Sequence, residues 1–397
     1  MTEQVLYWMW LQNAIHQGTA TTPRVLKQFS TVEEIYRADK TDYYYMGMPD
    51  DTLDALCDKS LDHVGRLAER ALKDGWILTL DSPDYPAPLK HLFSPPLVLY
   101  GKGLLPDFER MPSIGIVGTR KCTEYGMEAA GGIAAGLASV GCPVISGGAR
   151  GIDRAAHEGA MYGGGRTVAI QACGLDVEYP APNQSMRENI LDSGGALLSE
   201  YPPGTTVTQS VFQVRNRLIS GLSWGVCVVE APKRSGALMT ARLARDQGKD
   251  VFAVPGPITA ATSVGCNKLI RDGACLVSAP SHILSEYQLR CGNMLDEEEA
   301  DTAQRMFHAR PRQPVIPSVV KDNPSPISGE KSYELQPLPN GVSDGCRRVY
   351  EALSAEPLSA ELIFEKTKLP LGEIFSVLTE LEIYGCVRTH PGQQYSR

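Results

Sequence analysis

The sequence predicts an α/β protein whose middle is a doubly wound, mostly parallel sheet, with a helical region before it and a small winged-helix domain after it. Three observations lead there. Between Ile114 and about Gln288, short apolar runs alternate with amphipathic stretches, the grammar of βαβ units. The runs are continuously apolar, as strands covered on both faces are. Several of them lead directly into glycine- and arginine-bearing turns, where helix N-termini stand.

Composition bounds the rest. The chain has 397 residues, 43% hydrophobic and 21% charged, which suits two or three globular domains. No stretch approaches the roughly 18 to 20 apolar residues of a membrane span. The apolar run Leu6 to Leu11 lacks a basic flank and a small-residue cleavage site, so a cytoplasmic location without membrane association is expected. Ten cysteines include no C-x-x-C pair, and Cys142, Cys173 and Cys227 sit in or beside apolar runs; they read as reduced core residues, with no metal site. A net charge of -8 excludes a surface that attracts polyanions everywhere, so any nucleic-acid site must be a local basic patch.

Residues 1–100 read as helical. Thr31-Val32-Glu33-Glu34 resembles a capping box, and glycine turns near Gly18 and Gly47 suggest a helix-hairpin-helix (SAM-like) domain. Gly18-Thr19-Ala20-Thr21 lacks the G-x-G of a DNA-gripping hairpin, which favours a plain interaction domain. Residues 101–290 carry the Rossmann-like domain. Its expected strands are Ile114 to Val117, Pro143 to Ser146, Thr167 to Ala172, Ala196 to Ser199, Val226 to Glu230, Val251 to Val254 and Cys275 to Ser278. Helices are expected at Tyr125 to Ala138, Ile152 to Tyr162, Ser185 to Leu191, Arg215 to Leu222, Ala237 to Gln247 and Asn267 to Arg271. Residues 291–341 hold an acidic run and seven prolines between Pro311 and Pro339, the composition of a disordered linker. Residues 342–397 read as three helices and a two-stranded wing. The helix that would enter a DNA groove carries Glu373, Glu380 and Glu382 and no Lys or Arg, which argues against direct duplex readout.

Open parallel sheets bind ligands beyond the carboxyl ends of their strands. Three basic turns occupy that position: Gly118-Thr119-Arg120; Ser146-Gly147-Gly148-Ala149-Arg150-Gly151; and Lys233-Arg234-Ser235-Gly236. Glycine lets backbone amides approach phosphate oxygens, a hydroxyl adds a donor, and each turn supplies a cation. Val211 to Arg217, expected ahead of a helix, adds Phe212, Arg215, Asn216 and Arg217. Phe212 would stack a base while an arginine neutralises its phosphate, a pairing suited to unpaired strands. The alternative is that Phe212 is core and one arginine pairs with Glu200 or Glu230.

The site residues selected are therefore Gly118, Thr119, Arg120, Ser146, Gly147, Gly148, Arg150, Gly151, Phe212, Arg215, Asn216, Arg217, Lys233, Ser235 and Gly236. The first turn lacks G-x-G-x-x-G, and no G-x-x-x-x-G-K-[ST] occurs, which disfavours a dehydrogenase and a P-loop ATPase and calls for no cofactor. His157 and Asp153 lie on an expected helix with no partner spaced to complete a catalytic set, so neither is assigned a catalytic role.

The stretch from Ile114 to Ala274 resembles the DprA/Smf family, DNA-processing proteins of natural transformation. The matching strings are GTRKCTEYG at 118 to 126, SGGARGIDRAAHEGA at 146 to 160, CGLDVEYPAPN at 173 to 183, SEYPPG at 199 to 204, RNRLISGLS at 215 to 223, VVEAPKRSGALMTARLA at 228 to 244 and VPGPITAATSVGCNKLIRDGA at 254 to 274. The resemblance implies a homodimeric single-stranded DNA-binding protein that protects incoming DNA and loads the RecA recombinase, without enzymatic activity. It carries binding roles to Arg120, Arg150, Arg215, Arg217 and Lys233. Gly148 and Gln213 depart from the usual leucine and proline of the pattern, and Gln171-Ala172-Cys173 departs from its small-residue run. One rival is a phosphoribohydrolase on the same fold, resembling the LOG family; Pro255-Gly256-Pro257 lacks the Thr-x-x-Glu that would follow its glycines. The other is a duplex-binding winged-helix regulator.

Overall fold

The computed structural model describes residues 2–15, 17–46, 48–179, 184–310, 344–354 and 358–369, with parts of 374–397. Met1–Pro311 form one compact unit and Arg312–Arg397 a second.

In the first unit, nine strands among the described residues form one sheet: β1 (Trp76–Thr79), β2 (Val98–Gly103), β3 (Ile114–Val117), β4 (Val144–Ser146), β5 (Thr167–Gln171), β6 (Ala196–Ser199), β7 (Gly225–Val228), β8 (Asp250–Ala253) and β9 (Cys275–Leu276). Their order is β1-β2-β6-β5-β4-β3-β7-β8-β9. From β6 to β9 every pair is parallel, while β2 runs antiparallel to β6 and β1 antiparallel to β2. The seven expected strands are all present. The two additional ones were hidden because 18 residues rich in proline separate them, so no tight-turn signal marks a hairpin.

Six helices precede the sheet: α1 (Glu3–Ala14), α2 (Thr21–Gln28), α3 (Val32–Arg37), α4 (Lys40–Tyr44), α5 (Asp50–Cys57) and α6 (Asp62–Leu72). They share an apolar core with the sheet, in which Trp8, Leu11, Ile35 and Leu56 pack with Val98, Ala169 and Leu197. Buried Gln12 fastens α1 to the sheet: its amide nitrogen donates to the carbonyls of Val98 (3.1 Å) and Glu200 (2.8 Å), and its oxygen accepts from the Val98 amide (2.8 Å). A side chain that satisfies three backbone groups at once leaves that junction with no free polar cost.

The remaining helices are α7 (Ala87–Lys90), α8 (Glu124–Ser139), α9 (Ile152–Tyr162), α10 (Gln184–Asp192), α11 (Gln209–Leu222), α12 (Gly236–Asp246), α13 (Val264–Arg271), α14 (Ser281–Leu284), α15 (Gln288–Cys291) and α16 (Glu297–Ala309). Two of them correct the sequence reading. The α11 helix begins at Gln209 and not at the expected Arg215, so Phe212 lies inside it and not ahead of it. The first part of the expected linker is also a helix, α16. Its acidic run sits at its N-terminus, where Asp296 accepts from the Glu299 amide (2.9 Å) and three further acids face the positive end of the dipole. Buried Phe307 packs on Gly131 of α8, where a larger side chain would collide with the ring, and Arg310 pairs with Glu128 (3.2 Å). The proline-rich remainder, 311–341, lies outside the described residues.

The second unit contains α17 (Asp344–Ala352), α18 (Ala360–Thr367) and a three-stranded sheet of β10 (Leu358–Ser359), β12 (Gln394–Ser396) and β11 (Arg388–His390) in that order. Val349, Ile363, Leu378, Leu381 and Tyr395 form its core. Glu373, Glu380 and Glu382 lie outside the described residues. Among the described residues no helix is long and apolar enough to cross a membrane.

Candidate nucleic-acid interface

The strand order creates the site. From β3 the chain winds outward through β4, β5 and β6, then returns to lay β7 on the other side of β3 and continues through β8 and β9. Loops leaving β3 and β7 therefore diverge to opposite faces and open a crevice beyond the carboxyl ends. A cleft of about 420 Å³ fills it, walled by Gly118, Thr119 and Arg120 after β3, by Arg234, Ser235 and Gly236 after β7, and by the first turns of α11. A second recess of about 640 Å³ lies across Phe212, against Tyr179 and Val207. Arg120 and Phe212 line both.

Tight packing fixes the turns. The Thr119 amide donates to the Glu230 carbonyl (2.8 Å), and the Ile152 amide donates to the Thr119 carbonyl (3.3 Å). Gly151 adopts φ 79°, and a side chain there would run into the backbone of Thr119 and Arg120, so glycine is required at this crossing. The buried carboxylate of Glu230 accepts from the Thr123 amide (2.8 Å), the Thr123 hydroxyl (2.8 Å) and the Thr262 hydroxyl (2.9 Å). Thr123 in turn caps α8 by accepting from the Gly126 amide (3.2 Å), and Ser235 caps α12 by accepting from the Ala237 amide (3.3 Å).

The selected cations divide into three groups. Arg120 is exposed on the cleft wall, its guanidinium 4.7 Å from the centre of the half-buried Phe212 ring. That ring lies 6.0 Å from Tyr179, so a cation and two aromatic faces meet between the recesses. Lys233 and Arg150 are also exposed, but neither lines the cleft.

Arg215 and Arg217 are both buried and turned inward, and of the two only Arg215 lines the cleft. Arg215 is buried beneath the cleft floor, donating to the carbonyls of Gly147 (2.5 Å) and Ile170 (2.6 Å), with Asn216 accepting from its Nε (3.2 Å). Its position above Gly147 leaves no room for a side chain on that residue. Arg217 donates to both carboxylate oxygens of buried Glu200, at 2.5 and 2.7 Å. The expected alternative of an arginine paired with Glu200 is thus realised, and Arg217 stands outside the cleft lining. Ser146 likewise turns inward, its buried hydroxyl donating to the Ile116 carbonyl (2.6 Å). Gly148 adopts φ 64° against the Gln171 amide and stands outside the lining.

Charges below the floor are strongly perturbed. Burial raises the Asp153 carboxyl above the usual range, opposed chiefly by Arg215, and its oxygen accepts from the Ala149 amide (3.4 Å). Burial likewise lowers the Arg215 guanidinium from its ordinary value. His157 is fully buried away from the cleft, with Nδ1 2.7 Å from the Thr167 hydroxyl. Burial, helped by Arg215, pushes its pKa from 6.5 down to about 3. Between those values the unfolded chain binds a proton that the folded one refuses, so stability is full above pH 6.5 and declines as pH falls toward 3. We expect the urea midpoint to drop across that window in the native chain and to drop less in His157→Gln.

Sequence reasoning missed four contributors. Arg234, not its neighbour Lys233, lines the cleft, with Gln213 and Met239; the signal was present in Lys233-Arg234 but the order of facing is not readable from two adjacent cations. Tyr179 sits in a quoted family string and was not singled out.

The fold and this cleft define a doubly wound α/β protein with a cationic, aromatic-lined crevice at its topological switch point. Residues 76–288 match the family described as DNA recombination-mediator protein A, and residues 334–393 match the DprA winged helix domain. Protein Smf of Synechocystis sp. is 35% identical over 336 residues, covering 83% of this chain and 82% of that protein. DNA processing protein DprA of Streptococcus pneumoniae is 40% identical over 204 residues, 51% of this chain and 71% of that protein. An X-ray structure of DprA from Streptococcus pneumoniae superposes with a TM-score of 0.61 at 32% identity, covering 72% of this chain and 98% of that one. The chain belongs to the DprA/Smf family.

Proposed function

We propose that the chain binds single-stranded DNA in the switch-point crevice, without catalysing a reaction on it. The observation that carries this reading is the Arg120–Phe212 pair, shared by two adjoining recesses with Tyr179 on the far side. Phosphates would pass Arg120 and Arg234 while unpaired bases turn toward the aromatic faces, the division of labour that suits a flexible single strand. Capped helix starts and glycine turns supply the remaining donors. In line with its family, the protein would protect incoming DNA and load the RecA recombinase during transformation, working in the cytoplasm as a homodimer. The terminal place of β9 in the sheet, with Leu276 half-exposed on it, supports the last point.

Comparing affinity for an oligothymidylate and for a duplex of equal length at two salt concentrations tests the reading. Tighter single-strand binding with a clear salt slope is expected, and equal binding of both would defeat it. Release of free base from nucleoside monophosphates would revive the phosphoribohydrolase alternative.

A further inference from the structure

The amino-end side of the sheet carries a second polar cavity, away from the crevice at the carboxyl ends. Trp224 and Lys249 immediately precede β7 and β8, so they stand at the amino ends of the strands. A cavity of about 350 Å³ opens there, lined by Lys249, Arg290, His91, Trp224 and Tyr287. The Arg290 guanidinium lies 3.9 Å from the centre of the Trp224 ring, and Tyr287 meets that ring edge-on at 5.6 Å. Neither Arg290 nor Lys249 has a carboxylate within ion-pair distance among the described residues. Of the two acids on the lining, Asp250 accepts from the Tyr287 hydroxyl (2.9 Å), and Glu109 is exposed at the rim. Lys249 is half-buried; burial first and Arg290 next hold its amine below the usual lysine range, against the pull of neighbouring Asp250. Two cations thus face one space and repel each other, a cost that an anion between them would relieve.

The cavity does not end there. Ala87, Pro88, Phe108 and Glu109 also wall an adjoining recess of about 710 Å³, lined further by Trp76, Leu78, Leu105 and Pro83 and carrying Asp84, Asp107 and Lys90 on its wall. Trp224 is tied to this wall through its indole nitrogen, which donates to the Phe108 carbonyl (2.9 Å). A free phosphate would use the cationic end alone. An extended peptide would use both: apolar or proline residues in the aromatic and proline-lined recess, and carboxylates against the fork of Arg290 and the amine of Lys249.

We propose that this groove docks an extended segment of a partner protein in which apolar and proline residues are followed by carboxylates. The surface is separate from the DNA crevice, so peptide and oligonucleotide bind together. The test is fluorescence anisotropy on the full chain with a labelled, acetylated decapeptide of alternating leucine and proline followed by glutamates, and with its glutamine counterpart. The acidic peptide is expected to bind at least tenfold more tightly than the glutamine one. Arg290→Gln combined with Lys249→Gln should weaken it at least tenfold while oligothymidylate affinity stays unchanged, which also reports an intact fold. Saturating oligothymidylate should leave the peptide bound. Equal binding of the two peptides, an unaffected double variant, or displacement by oligothymidylate would each overturn the proposal. So would full displacement by millimolar inorganic phosphate, which would mark a small-anion site instead.

Discussion

Replacing Arg120 and Phe212 together by alanine is expected to weaken single-strand binding by about 100-fold, the sum of a stacked base at roughly 1 to 3 kcal/mol and one phosphate contact. The single variants separate the two contributions. Arg120→Ala should flatten the dependence of log K on log salt by about 0.7, the share of one contact on a single strand, whereas Phe212→Ala should lower affinity and leave that slope alone. Because the guanidinium stacks on the ring at 4.7 Å, the double variant should fall short of the product of the singles. Filter binding or anisotropy at several salt concentrations reads all three quantities. Affinities within twofold of the native chain would remove the crevice as the site.

Arg217→Ala should act through stability. It would leave Glu200, 2% exposed, as an uncompensated charge and cost about 3 to 5 kcal/mol by chemical denaturation. Its salt slope for DNA should match the native one wherever the variant is folded. Arg217→Met with Glu200→Leu should regain most of the loss, since an apolar pair of similar volume replaces a buried ion pair with little penalty. A reduced slope with native stability would instead return Arg217 to the phosphate path.

Much of this architecture was legible because its strands are buried on both faces and its helices begin at strong punctuation. Ile152–Tyr162 and Ala196–Ser199 match the expected limits residue for residue, since Gly151 and Gly163 bracket the first and Gly194-Gly195 open the second. The β1–β2 pair escaped because the proline-rich stretch between its strands carries no tight-turn signal and β2 then docks on β6, far along the chain. In α16, acidic composition outweighed the apolar spacing of Ala300 and Phe307, which pack on α8. The site was legible as turns but not as directions. Arg215, Asn216 and Arg217 are consecutive on a helix, about 100° apart, and only the neighbouring strands decide which of them meets a carboxylate and which a carbonyl. Arg120 and Arg217 looked alike as letters; one faces solvent over an aromatic ring and the other is locked to Glu200.

The carboxylate of Glu230 bridges Thr123 and Thr262, residues made far apart in time as a ribosome elongates the chain. A nascent polypeptide that has not yet emerged beyond β8 lacks one anchor of the crevice, however well its earlier βαβ units have formed. The crevice is therefore completed late in synthesis, and a product truncated before Thr262 is expected to bind a single strand more weakly than the full chain.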